Sequence, residues 1–78
     1  MVILYFQGGG KVKLTTGLAD TVRIRVELDD DGDVVVWADN CKLLWVLDNG
    51  KVMLAGDCGE QLEKMGFVVN DRGEVVIE

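Results

Sequence analysis

Cys41 and Cys58 carry the most distinctive side-chain chemistry in this chain of 78 residues. A structural zinc site needs four ligands, and two thiols in a chain without histidine supply half of them. A disulfide between the two requires an oxidising compartment. Because cysteine is among the most often buried residue types, we expect two buried or half-buried free thiols. Cys58 stands at the predicted start of a helix, where thiolates are stabilised, so a lowered pKa and a reactive thiol are the alternative for this residue.

The acidic run Asp29–Asp33 must be weighed as a calcium site. Asp29, Asp31 and Gly32 match the third, fifth and sixth positions of an EF-hand loop. Glu27 would then stand at the first position and Ala38 at the twelfth, and the flanking residues alternate as strands do. Clustered aspartates are common at exposed turns, so we predict a turn and no metal site.

Catalytic chemistry has few candidates in this sequence. Histidine, proline and serine are absent, which removes the commonest general base and one common nucleophile. The remaining candidate acids lie at predicted turns or on the predicted helix: Asp20, Asp39, Asp57, Glu60 and Glu63. We predict that these are solvated charges, that the protein is not an enzyme and that it holds no cofactor.

Trp37 and Trp45 are large aromatic side chains of the kind that line ligand pockets. Each falls on an apolar face of a predicted strand, beside branched residues, which favours a place in the core. A ligand pocket remains the alternative for both.

Composition and charge limit the classes of partner. Hydrophobic residues make up 49% of the chain, which predicts one small folded domain spanning residues 1–78. The formal net charge of −6 disfavours binding to nucleic acid or to an anionic membrane. No apolar run is long enough to span a bilayer and no secretory signal is evident, so we expect a cytoplasmic protein.

The stretch Cys41–Cys58 contains the strongest hairpin signal. Its Asn49-Gly50 pair is typical of a two-residue type I′ turn. That turn would set Trp45 opposite Leu54 and leave both faces of the hairpin apolar near its tip.

Three further hairpins are predicted. The first joins strands over residues 2–7 and 11–16 through Gly8–Gly10. Leu4–Gly8 resembles the core of a protease recognition site used in expression tags, but the apolar run favours a strand. A two-residue loop at Asp31-Gly32 would set Val26 opposite Trp37. Asn70–Gly73 suits a type I turn closed by a glycine bulge.

A short helix follows the central hairpin, at about residues 58–65. Asp57 is the predicted N-cap, Glu60 the reciprocal capping acid and Gly66 the left-handed stop. The predicted class is therefore α+β: a mainly antiparallel sheet or small barrel built from hairpins, with one short helix.

We expect a small non-enzymatic interaction protein, acting as an acidic inhibitor of a basic or nucleic-acid-binding partner. A small-molecule binding module and a stand-alone structural or designed domain without a ligand are the alternatives. One short helix cannot cover both faces of the sheet, so we also expect a homodimer that buries the residues left uncovered. The predicted interaction surface consists of Leu44, Val46, Met53 and Val36.

Overall fold

The computed structural model describes residues 2–5, 10–17 and 21–77. Within them β1 and β2 form a two-stranded antiparallel sheet, and β3 to β6 form a four-stranded antiparallel sheet in sequential order. The predicted α+β class is confirmed. The elements are β1 (Val2–Tyr5), β2 (Lys11–Leu14), β3 (Ile24–Leu28), β4 (Val34–Ala38), β5 (Cys41–Val46), β6 (Val52–Leu54) and α1 (Gly59–Met65).

The N-terminal hairpin is confirmed by its pairing, in which Val2 lies opposite Leu14 and Tyr5 opposite Lys11. Strand β1 ends at Tyr5, and residues 6–9 of the predicted strand and glycine loop lie outside the described residues.

A second layer covers the four-stranded sheet. β2 pairs with β1. Leu14 of β2 also forms a bridge with Ile77, and Thr16, just after β2, forms one with Phe67, so this region meets the C-terminal segment, residues 67–77. The Thr16 hydroxyl donates a hydrogen bond to the Gly66 carbonyl, which ties this layer to the end of α1. In the described part of the chain β3 and β6 remain separate edges of the larger sheet, so the small-barrel alternative is wrong.

The core forms between these layers, on the inner face of the four-stranded sheet. Val36 and Leu44 lie opposite each other there and are fully buried. Leu14 from β2 and Leu62 from α1 are also fully buried and belong to the same apolar cluster. Because strand side chains alternate between faces, Trp37 and Trp45 point to the outer face.

A β-bulge allows two consecutive leucines to enter this core. The β4–β5 register shifts after Val36, which pairs with Leu44, so that Trp37 pairs with Lys42 and Leu43 is the extra residue. Leu43 and Leu44 are both fully buried. Regular alternation would have turned one of them outward.

The central turn is one residue longer than predicted. Leu47 N–H donates to the Lys51 carbonyl, and Gly50 N–H donates to the Leu47 carbonyl, both at 2.9 Å. Gly50 alone has the left-handed φ, 88°, so the loop has three residues and is not a type I′ turn. Trp45 consequently lies opposite Met53, where Leu54 was predicted.

The acidic turn differs from its prediction in the same way. Asp29 N–H donates to the Asp33 carbonyl at 2.9 Å across a three-residue loop, with Gly32 at φ 86°. Val26 therefore lies opposite Val36, and Trp37 lies opposite Arg25. The predicted pairing of Val26 with Trp37 was wrong. One extra loop residue shifts the register by one, so each β4 side chain that was expected on the same face as Val26 lies on the other face.

The C-terminal turn, at Asn70–Gly73, was predicted correctly as a turn closed by a glycine bulge. Asn70 N–H donates to the Glu74 carbonyl at 2.8 Å, and Gly73 has φ 78°. Its Asn70 side-chain oxygen accepts from the N–H groups of Arg72 and Glu74 at 2.9 and 3.1 Å. In the acidic turn the Asp29 carboxylate accepts from the corresponding N–H groups, so both turns are stabilised alike.

Helix α1 begins one residue later than predicted. Its N-cap residue is Cys58, which makes no side-chain capping hydrogen bond, so the prediction of Asp57 as the cap was wrong. Gly66 ends the helix with φ 105°, as predicted, and its N–H donates to the Glu63 carbonyl. Leu62 and Met65 place the apolar side of the helix on the core.

The turn glycines supply a stability test with a matched control. An added Cβ at Gly73 would lie 2.8 Å from the Gly56 carbonyl oxygen, whereas nothing lies within 4 Å of the same position at Gly50. Gly73→Ala and Gly50→Ala both impose a left-handed φ on alanine, at about 1–2 kcal/mol. We expect Gly73→Ala to lower the free energy of unfolding by about 1 kcal/mol or more beyond Gly50→Ala, because its methyl group also collides with the backbone. Urea denaturation followed by tryptophan fluorescence measures both, and equal losses would contradict this close approach.

Candidate interaction surfaces

A cleft of about 510 Å³ opens at the end of the molecule where the acidic and central turns meet the start of β2. Leu28, at the end of edge strand β3, lies on its rim and is 74% exposed. The second layer does not extend over the end of β3, so apolar side chains of the inner face stay accessible here. The apolar lining consists of Val12, Leu28, Val34, Val46, Leu47 and Val52.

Carboxylates border this cleft. Oxygens of Asp29, Asp31 and Asp33 all lie within 4.8 Å of one another, and Asp48 of the central turn lines the cleft itself. Desolvation raises the pKa of the Asp33 carboxyl, and repulsion from Asp29, Asp31 and Asp48 adds to the increase. A hydrogen bond with the Asp48 backbone acts in the opposite direction. The two turns therefore bring four acidic groups to one end of the protein, beside an apolar opening.

The geometry of the three clustered aspartates is that of a turn. One Asp29 oxygen accepts hydrogen bonds from Asp31 N–H at 3.0 Å and from Asp33 N–H at 2.8 Å. Calcium takes six to eight oxygen ligands. The cluster found in the described chain offers three carboxylates, which is fewer groups than such a site uses. We interpret the cluster as the acidic part of a cleft rim to which Lys11 also contributes a cation.

The tryptophans lie on the outer face of the four-stranded sheet, and neither lines the cleft. The Arg25 guanidinium carbon is 5.4 Å from the Trp37 ring centroid, and Lys42 Nζ is 4.2 Å from that of Trp45. Both distances suit cation–π contacts. Both rings are half-buried and are absent from the main core cluster, so the expected place in that core was wrong. The physical reason is the one-residue change of register at each turn.

The predicted interaction surface does not form. Val36 and Leu44 are fully buried, because β2, α1 and the C-terminal segment cover the inner face. Val46 is half-buried on the inner face and Met53 on the outer face, so these two side chains belong to different surfaces. The large apolar residues that are exposed in the described chain are Ile3, Tyr5, Val26, Leu28 and Val68.

Cys41 and Cys58 lie close together as two free thiols, Cys41 buried and Cys58 half-buried. Burial raises the pKa of the Cys41 thiol to about 11, and a side-chain hydrogen bond with Cys58 contributes to the increase. The sequence predicted this proximity and this burial, but the β5–β6 ladder ends at Leu54 and does not reach Cys58.

The candidate acids are dispersed where the structure describes them. Asp39 has φ 52°, and its carboxylate accepts a hydrogen bond from Arg23 N–H at 3.1 Å, which is a structural role at the start of β3. Asp57, Glu60 and Glu63 are exposed around the start and the middle of α1. Asp20 lies outside the described residues.

Comparison of this chain with protein-family models, curated proteins and solved structures found no match. Within the described ranges no helix has the length and apolar character needed to cross a membrane.

The two thiols should differ in reactivity. Burial raises the pKa of the Cys41 thiol and so lowers its thiolate fraction at pH 8, and thiolate is the reactive form. We expect Cys41 in the Cys58→Ala variant to react with a disulfide reagent such as DTNB at least about tenfold more slowly than Cys58 in the Cys41→Ala variant. Stopped-flow absorbance measures both rates, with each variant in denaturant as its own control. Equal rates in the folded variants would contradict the protected state of Cys41.

Proposed function

We propose that this protein is a small non-enzymatic interaction protein of the cytoplasm that binds a basic segment of a partner protein at the cleft. One observation carries the proposal. The exposed Leu28 side chain and the other apolar side chains that line the cleft lie beside the clustered carboxylates of Asp29, Asp31 and Asp33. An apolar side chain of the partner would enter the cleft while flanking lysine or arginine side chains meet the carboxylates.

Charge supports this choice of partner. The chain has 14 acidic and 8 basic residues, and desolvation, followed by repulsion from Asp29, Asp31 and Asp48, raises the pKa of Asp33. A nearby cation would relieve that repulsion and favour the ionised carboxylate. Long-range attraction would also speed association with a basic protein, and this gain would fall as salt is added.

The same chemistry makes inhibition of a basic or nucleic-acid-binding protein the form of interaction that we favour. Carboxylates presented at one end of a small protein can occupy the arginine and lysine side chains that a partner would otherwise use for phosphate groups. This binding requires no catalytic group on either side.

A small-molecule binding module is the second candidate. It is supported by Trp37, whose indole N–H is buried and has no hydrogen-bond partner in the described structure. A ligand with an acceptor atom near this ring would satisfy that donor. We place this function second because Trp37 and Trp45 do not line the cleft.

A binding measurement with a defined probe tests the basic-partner proposal. The probe is a fluorescent peptide rich in lysine and arginine that carries a single leucine, and its control carries serine in place of leucine. We expect the leucine peptide to bind more tightly, because leucine can enter the apolar cleft. Removing two rim charges with Asp31→Asn and Asp48→Asn should weaken its binding about tenfold at low salt, at roughly 0.5–1 kcal/mol per charge.

The matched control removes two carboxylates elsewhere, with Asp71→Asn and Glu60→Gln. Asp71 lies in the C-terminal turn and Glu60 on α1. The control therefore changes the net charge by as much as the rim variant does, while the rim stays intact. Fluorescence anisotropy should show a much smaller loss for this control. Equal losses in the two double variants would mean that net charge alone attracts the peptide, and no binding by the unaltered protein would refute the proposal.

A further inference from the structure

The outer edge of β3 is unpaired among the described strands, since β3 pairs only with β4. The backbone groups at its two ends point toward β4: Asp39 N–H donates to the Arg23 carbonyl, and Asp29 N–H donates to the Asp33 carbonyl, both at 2.9 Å. Backbone groups alternate in direction along an antiparallel strand. Ile24, Val26 and Leu28 therefore direct their N–H and C=O groups outward, toward a missing neighbour.

The charges along this edge are antisymmetric about Val26. Arg25 precedes it and Glu27 follows it, and Arg23 and Asp29 stand one pair farther out. A strand with this order of charges is complementary to a second copy of itself in an antiparallel pair centred on Val26, because each cation then lies opposite an anion. Opposite charges directly across a strand pair stabilise it, and like charges destabilise it.

We propose that a second copy of this chain occupies the edge, with the two β3 strands paired antiparallel about a two-fold axis at Val26. Val26 then exchanges backbone hydrogen bonds with Val26 of the partner subunit, and Ile24 lies opposite Leu28 of the partner subunit. Arg25 lies opposite Glu27 of the partner subunit. The two four-stranded sheets become one continuous sheet across the interface.

Backbone direction allows a two-fold axis at any residue of β3, and charge selects the one at Val26. An axis at Arg25 or at Glu27 also pairs outward-facing residues with one another, but it would place that charged residue opposite its own copy. An axis at Ile24 sets Arg23 opposite Arg25 of the partner subunit, and an axis at Leu28 sets Glu27 opposite Asp29 of the partner subunit. Only the axis at Val26 combines outward-facing hydrogen-bonding groups with opposite charges at the facing pairs.

The side chains at the edge are available for this arrangement. Arg25 Nε lies 2.7 Å from a Glu27 carboxylate oxygen within one chain, and both side chains are about half exposed. Pairing would bring two such ion pairs side by side on the outer face. On the inner face Val26, 55% exposed, and Leu28, 74% exposed, would gain apolar neighbours from the partner subunit.

This dimer differs from the one expected from the sequence, which relied on Val36 and Leu44. The edge and the proposed cleft share Leu28, but the charged residues that the test exchanges, Arg25 and Glu27, do not line the cleft, so failure of the dimer and failure of the cleft function are distinguishable. Edge charges also protect strands against unwanted pairing. A monomeric protein with a charged protective edge is therefore the outcome that would overturn the proposal.

Charge-exchange variants test it directly, with mass measured by light scattering after size exclusion at micromolar concentration. We expect the unaltered protein to have twice the chain mass of 8.6 kDa. Arg25→Glu and Glu27→Arg should each weaken the dimer at least about tenfold, since each sets like charges opposite one another. The double variant Arg25→Glu/Glu27→Arg restores opposite charges and should dimerise again.

An equimolar mixture of the two single variants provides the decisive control. One chain then carries two acids and the other two cations at the facing positions, so the mixture should form a one-to-one dimer although neither variant does so alone. That result excludes misfolding as the cause of dissociation. An unaltered protein with a mass of 8.6 kDa, or dimers that are equally stable in every variant, would overturn the proposal.

Discussion

The length of the glycine-containing turns is the constraint on which the rest of this structure depends. The acidic, central and C-terminal turns each close over three residues, with Gly32, Gly50 and Gly73 at left-handed φ. Because strand side chains alternate with a period of two, the loop length decides which side chains share a face. Val36 and Leu44 are thereby placed in the core, and Trp37 and Trp45 on the outer face.

Small size explains why both proposed binding surfaces lie at β3. The described part of this 78-residue chain forms one four-stranded sheet and a smaller second layer, and of the apolar β3 side chains on the inner face only Ile24 packs against the core cluster. Strand β3 extends beyond that cover and has one unpaired edge within the described structure. Its Leu28 side chain lines the cleft, and its outward backbone groups have no partner among the described strands, so this strand contributes to both proposed binding surfaces.

The net charge conceals an uneven distribution of charged groups. Aspartates gather at the turn end of the molecule, where desolvation and then their mutual repulsion raise the pKa of Asp33. Arg25 and Lys42 lie instead on the outer face, beside Trp37 and Trp45. A basic partner would therefore be attracted to the turn end, while the outer face offers aromatic rings whose faces are already occupied by cations.

The sequence by itself determined the local features: the α+β class, the positions of the hairpins, the end of α1 at Gly66 and the proximity of Cys41 to Cys58. These follow from residue types that act over a few positions, such as glycine with a left-handed φ. Asp31-Gly32 and Asn49-Gly50 each suit a two-residue or a three-residue loop, so the strand registers, and with them the partners of Trp37 and Trp45, could not be obtained from these dipeptides. Only the tertiary structure decided that Leu44 and Val36 are buried, because their cover comes from β2 and residues 67–77, which are distant in the chain. The exposure of Leu28 and Val26 was settled in the same way, since it depends on where that second layer stops.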